Sequence, residues 1–311
     1  MFCNEECVEF ENQDDHLLRG ILHYGDQEVS KTVSLICLNT GLNDMVGWHR
    51  IQVKTSRYLA ALGYNVLRFD DTGIGDSGGE INKTGVVEIF SDIETGLFVS
   101  NADTAVDFMA EIFPEDKIVF IGFCGGGLTA THSASHNEKV SGIIDIGGPV
   151  TLSSNEYLHK KDPWEVQKNV KKYKYKLFKF RPWINFFTFR GEYKTIINSI
   201  TNYIKHKING EYKDSLSLQE LKDVKNLNKK YFLSFESYST SRRPALFFYA
   251  DKDSATWEFE KYFLRKYQNS SFWSNKAFTF IKAENANHIL SSEESQGLLK
   301  KNICSWLKTH F

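Results

Sequence analysis

The stretch Gly122-Phe123-Cys124-Gly125-Gly126-Gly127 sets a thiol in the middle of a glycine-rich turn. It follows the apolar run 118–121 and precedes a helical stretch that opens near Leu128. A strand-turn-helix of this kind holds its central residue at strained dihedrals, so the residues two positions away must be small. Gly122 and Gly126 meet that demand. A thiol held there can attack a carbonyl carbon, while the N–H groups that open the following helix receive the developing negative charge. Taken alone, the same glycines could also serve close packing or cradle a phosphate. Two downstream loops supply what a nucleophile needs: Ala250-Asp251-Lys252-Asp253-Ser254 carries an acid, and Glu284-Asn285-Ala286-Asn287-His288 carries a histidine. Both follow apolar runs, at the strand ends where ligands gather in open α/β sheets. Of the nine histidines, His288 is the one expected between the last strand and the last helix. The order nucleophile, acid, histidine fits one architecture of acyl-transfer enzyme.

The elements that must position these groups are readable from hydrophobic pattern. Residues 7–11 and 16–23 alternate apolar and polar around the turn Asn12-Gln13-Asp14-Asp15, as a β-hairpin does. The runs 33–38, 65–69, 118–121 and 143–146 are apolar without alternation, which is the signature of parallel strands buried on both faces. Helical patterns over 47–62 and 102–113 lie between them, and strand patterns resume at 245–249 and 277–281 before a closing helix over 293–309. Strand and helix alternate, so the expected fold is α/β with a mostly parallel central sheet flanked by helices. Between 151 and 230 there are 18 Lys and Arg against 8 Asp and Glu, in a chain whose net charge is -1. This basic, aromatic segment reads as an inserted, mainly helical cap. The expected organisation is a core over 1–150, a cap over 151–240 and the rest of the core over 241–311.

Composition narrows the function classes. The chain has 311 residues, enough to bury a large core, and 41% of them are hydrophobic. The near-zero net charge argues against nucleic acid as a partner, and no apolar run is long enough for a membrane helix. Residues 1–7 are acidic where a signal peptide would be basic and then apolar, so a cytoplasmic location is expected. Five scattered cysteines (Cys3, Cys7, Cys37, Cys124, Cys304) without a Cys-x-x-Cys pair predict neither disulfides nor a metal site. No cofactor is called for.

Over nearly its whole length the chain resembles an α/β-hydrolase-fold protein. Within that superfamily, Leu38-Asn39-Thr40-Gly41-Leu42 and the loop from Leu67 through Asp70-Asp71-Thr72-Gly73-Ile74-Gly75-Asp76-Ser77 to Gly78 resemble the exosortase-associated hydrolases of exopolysaccharide gene clusters, which also carry Cys at the elbow. The resemblance implies Cys124 as nucleophile, His288 as general base and Asp253 as the acid that orients it. Asp253 is favoured over Asp251 because Ala250 aligns with the small residue that usually ends the strand, three positions before the acid. It also implies the backbone N–H groups of Gly125 and Leu42 as oxyanion donors. Thr40-Gly41 departs from the His-Gly common in the superfamily.

Gly73-Ile74-Gly75-Asp76-Ser77-Gly78 also matches a dinucleotide fingerprint, but glycine and polar residues follow it where a helix should open at once. Asp76 and Ser77 are expected to hold that turn by side-chain hydrogen bonds. The expected substrate is a small-molecule acyl ester or thioester, with the basic cap either a solvated face or a surface for acyl-CoA or an acyl carrier protein. A thioester intermediate reacts readily with amines, so acyl transfer stands beside hydrolysis: among similar families, dienelactone hydrolases hydrolyse and bile-acid-CoA amino acid acyltransferases transfer. A binding protein that keeps the fold without catalysis is the third possibility.

Overall fold

The computed structural model describes residues 4–82, 85–153, 224–270, 273 and 277–311. They fall in one compact unit made from both ends of the chain, residues 1–154 and 224–311. Most of the expected cap, 154–223, lies outside the described residues.

In chain order the described elements are β1 (Asn4–Glu11), β2 (Leu17–Tyr24), β3 (Val33–Leu38), α1 (Ile51–Ala60), β4 (Asn65–Phe69), α2 (Val86–Glu94), α3 (Val99–Ile112), β5 (Lys117–Phe123), α4 (Gly125–Ala134) and β6 (Val140–Ile146). After the insertion come α5 (Lys229–Thr240), β7 (Ala245–Lys252), α6 (Ser254–Glu258) with a π-helical continuation Phe259–Leu264, β8 (Phe278–Asn287) and α7 (Glu293–His310). The strands form one eight-stranded sheet in the order β1-β2-β4-β3-β5-β6-β7-β8. The hairpin β1–β2 and the β2–β4 pair are antiparallel, and every other neighbour is parallel. The chain therefore has the expected α/β architecture.

Side-chain alternation along the central strands sorts the core into two layers. Ile36, Leu67, Phe120, Ile143 and Phe247 point to one face and pack with α3 to α5 and the π-helical segment through Ala102, Met109, Leu128, Tyr231 and Phe263. Leu35, Val66, Ile121, Ile144 and Phe248 point to the other and pack with α1 and α7 through Leu59, Leu299 and Ile303. Burial on both faces explains why these strands are uniformly apolar.

One boundary differs from expectation. Residues 224–240, assigned to the cap on charge, belong to the core unit. In α5 the residues Tyr231, Phe232, Phe235 and Tyr238 are all buried, and Phe235 meets Phe263 edge to face at 4.5 Å. The lysines at its start occupy the exposed side of an amphipathic helix, so local charge concealed a core stripe. Asn228 caps this helix by accepting the Tyr231 N–H, 3.0 Å. Just before it, Thr151 bridges to Leu227, the Leu152 N–H donates to Asn226 O at 2.7 Å and the Asn228 N–H donates to Val150 O at 3.0 Å.

Candidate active site

The β5–α4 junction supplies the sharpest turn in the site. Cys124 takes φ 51° and ψ -117°, left-handed backbone that costs a non-glycine residue about 1–3 kcal/mol. Its N–H donates to Ile146 O at 2.8 Å and its carbonyl accepts from the Gly127 N–H at 2.9 Å, so both neighbouring elements hold the strained residue. A Cβ on Gly122 would lie 2.2 Å from Gly126 O, and one on Gly126 would lie 2.6 Å from Asn39 O. Backbone fills both positions, which is why glycine stands there. Helix α4 begins at Gly125 directly behind the thiol, so its first N–H groups face the same side.

His288 follows the end of β8, and its Nδ1 lies 2.7 Å from Asp253 Oδ2. The second carboxylate oxygen of Asp253 accepts the Ala255 N–H at 3.1 Å and caps α6, so the residue that meets the histidine is itself fixed. Asp253 is buried and His288 partly buried, and the imidazole packs against the Trp48 ring at 5.5 Å. Burial alone would push the His288 pKa down; hydrogen bonds to Asp253 and Cys124 reverse this and raise it to about 10. The sequence-selected Cys124, His288 and Asp253 thus come together from three separate loops. Asp251 instead accepts the Ala286 N–H at 3.0 Å and ties the end of β7 to β8.

Gly41 and Leu42 lie beside the elbow in the loop after β3. A Cβ on Gly125 would sit 3.5 Å from Gly41 N, placing the two candidate donor segments against each other. Asp70, buried at the end of β4, accepts the Met45 N–H at 2.6 Å and the Asp76 N–H at 3.0 Å, so one carboxylate fixes both loops that flank the site. Ser77 holds the turn as expected, its hydroxyl donating to Asp70 O at 2.6 Å, whereas Asp76 takes part through its main chain. No helix opens at Gly78: α2 starts at Val86, which removes the geometry a dinucleotide fingerprint requires. Of the other cysteines, Cys37 and Cys304 are buried and Cys7 is exposed on β1. Burial raises the Cys37 pKa to about 11, making it a poor nucleophile beside Cys124.

Some residues around the site were not singled out from sequence. Trp48 lies in a short 3₁₀ turn with no local signal. Gly147 follows β6 at φ 69°, and a Cβ there would come within 3.6 Å of the His288 ring. The pair Gly147-Gly148 after an apolar strand is the cue that could have found it. Asp145 lies fully buried behind the elbow, accepting the Gly148 N–H at 2.9 Å and the Tyr231 hydroxyl at 3.1 Å. Among the described residues no cluster of His, Cys, Asp and Glu is arranged to hold a metal, and no helix is long and apolar enough to cross a membrane.

Comparison with known proteins places the chain in a family. The structure is similar to the esterase PF2001 of Pyrococcus furiosus (TM-score 0.57, 16% identity, covering 99% of this chain and 92% of that one). It is also similar to Est1E of Butyrivibrio proteoclasticus, solved with ferulic acid bound (TM-score 0.56, 13% identity, 97% and 98% covered). A third, XC6422 of Xanthomonas campestris, is described as an α/β serine hydrolase without a lid (TM-score 0.52, 12% identity, 98% and 97% covered). At these identities the likeness is one of fold. No curated protein sequence matches the chain. The family model for the alpha/beta hydrolase fold matches residues 33–294, from the third strand to the last helix, and the chain belongs to that family.

Proposed function

We propose that the protein is an acyl hydrolase of esterase or thioesterase type that works through Cys124, His288 and Asp253. The observation that carries this reading is the His288 imidazole held between the Asp253 carboxylate, at 2.7 Å, and the elbow thiol. In the proposed reaction His288 takes the thiol proton, and the thiolate sulfur bonds to the carbonyl carbon. The carbonyl oxygen, now anionic, is met by the N–H groups of Gly125 and Leu42. Collapse breaks the bond to the leaving alcohol or thiol, which receives the proton from His288, and leaves an acyl thioester on Cys124. Water then gives a proton to His288 and attacks the thioester, releasing the acid and restoring the thiol. Burial opposes a proton on His288, and the hydrogen bonds to Asp253 and Cys124 favour it, so they stabilise the imidazolium formed when the ring takes the thiol proton.

The finer attributes of this reading rest on sequence. A cysteine elbow and the loops 38–42 and 67–78 support a place beside the exosortase-associated hydrolases. The basic segment 151–230 supports a cap that attracts anionic partners such as acyl-CoA or an acyl carrier protein. The test is to incubate the protein with p-nitrophenyl esters, acyl-CoA and acyl-pantetheine thioesters and to read its intact mass. An acyl-sized increase that disappears in a folded Cys124→Ala variant is expected. Turnover that survives in Cys124→Ala would overturn the mechanism. Amines added to the acylated protein separate hydrolysis from acyl transfer by product mass.

A further inference from the structure

A covalent acyl intermediate requires a place for the acyl substituent, and the surroundings of the elbow are asymmetric. Helix α2 was not singled out from sequence, yet it lies directly over the candidate oxyanion donors. A Cβ on Gly41 would come 2.9 Å from Phe90 Cε1, and a Cβ on Gly125 would come 2.9 Å from Ile93 Cγ2. Phe90 and Ile93 therefore rest on the two backbone segments that would hold the oxyanion. Ile93 also belongs to a small apolar cluster with Ile74 and Phe98, on which Leu42, Ile81 and Ile89 pack. Glu94, the next residue, is buried with its carboxylate turned to Ser153, accepting the N–H at 2.6 Å and the hydroxyl at 2.7 Å, so it does not charge this surface.

The leaving group is restricted to the opposite side. It must receive a proton from His288 and so must lie within hydrogen-bond reach of that ring. His288 stands with Asp253 after β7 and Gly147 after β6, whereas Gly41, Leu42 and Ile74 follow β3 and β4. In the sheet, β6, β7 and β8 lie on one side of β5 and β3 and β4 on the other. With the carbonyl oxygen on the N–H groups and sulfur on the carbon, the remaining substituent is directed toward β3, β4 and α2.

We infer that α2 forms the acyl-binding wall of the site, with the partly exposed Phe90, Ile89 and Leu42, backed by the buried Ile93, selecting an apolar acyl group. This rests on the covalent reading above. Burying an alkyl chain against these side chains removes apolar surface from water, and a pocket of this kind discriminates acyl size by about tenfold or more per step that no longer fits.

The experiment varies acyl length at constant leaving group, using p-nitrophenyl acetate, butyrate and octanoate, in wild type, Phe90→Ala, Ile89→Ala and Val86→Ala. Phe90 and Ile89 are half-buried, and Val86 is 60% exposed at the outer start of α2. The ratio of kcat/KM for octanoate to that for acetate is expected to shift by about tenfold in Phe90→Ala or Ile89→Ala and to stay constant in Val86→Ala. A uniform loss across all three esters, or an unchanged ratio in both α2 variants, overturns the assignment. If instead a folded Cys124→Ala variant turns these esters over as wild type does, the covalent reading itself falls and this inference with it. Circular dichroism on each variant identifies any that fails to fold, and since two positions are tested either one can carry the result.

Discussion

Replacing Asp253 by Asn tests the relay most sharply, because it alters one hydrogen bond and leaves volume unchanged. In wild type Oδ2 accepts from His288 Nδ1 at 2.7 Å and Oδ1 accepts the Ala255 N–H at 3.1 Å. If the asparagine oxygen keeps the helix cap, its NH₂ faces Nδ1, which must then accept. The ring proton moves to Nε2, toward Cys124, and the imidazole can no longer take the thiol proton. If the amide turns over, the cap is lost at a cost of about 1 kcal/mol. The corresponding change in a serine triad lowers the rate about 10⁴-fold, and a fall of about 10³ to 10⁴ in kcat/KM, or roughly 4 to 5.5 kcal/mol of barrier, is expected here. The carboxylate also sustains the raised His288 pKa against burial. Because that pKa near 10 exceeds the unfolded value near 6.5, its stabilisation is fully present below about pH 6.5 and is lost as pH rises through about 10. The melting-temperature gap between wild type and variant should therefore be widest near pH 6, reflecting a few kcal/mol, and close above pH 10. The assays are ester turnover from pH 6 to 9 and thermal melts over the same range extended to pH 10.5. Activity within tenfold of wild type, or an equal loss in Asp251→Asn, would refute the assignment of Asp253.

Three other outcomes are expected. Gly122→Ala drives a Cβ to within 2.2 Å of Gly126 O, a backbone atom that cannot swing aside, so urea denaturation should show a loss of about 3 kcal/mol or more; a loss under about 1 kcal/mol would contradict the packed elbow. Burial raises the Asp145 pKa to about 7, more than its hydrogen bonds from Gly148, Tyr231 and Tyr249 lower it. Its folded-state pKa thus exceeds the unfolded value of 3.8, and stability declines as pH rises from about 4 to about 7. Burial raises the Asp71 pKa to about 7 as well, so Asp145→Asn should reduce the fall in melting temperature over that range without abolishing it; an unchanged slope counts against a buried, titrating Asp145. Finally, iodoacetamide at pH 7.5 should label Cys124 before Cys37 and Cys304, as read by peptide mass, because those two are buried; earlier labelling of Cys37 would contradict its burial.

Most of the sheet was legible because its strands are buried on both faces. Residues 33–38 and 65–69 are read from apolarity alone with the limits they have in the structure. Cys124 was legible because a sharp turn leaves a glycine spacing that few other structures demand, and His288 because it lies after the last strand. Helix α2 was not, since only Ile93 and Glu94 in it are buried and its Phe90 and Ile93 lie against Gly41 and Gly125 rather than in the main core. Strand β8 runs on to Asn287 through Lys282, Glu284 and Asn285, polar residues that mask it in sequence. The core residues of α5 were hidden for the opposite reason, aromatic anchors set among lysines in a basic region.

The pairing of residues 150–152 with 226–228 has a consequence for how this chain can change. The two ends of the intervening segment are brought together by backbone hydrogen bonds that belong to the core, before the segment contributes anything of its own. Closing a loop on ends already joined costs little entropy, and each doubling of its length adds only about 0.6 kcal/mol. The position is a graft point. Length and composition between the paired residues can be exchanged in evolution or by design while the elbow, the histidine loop and the sheet keep their register.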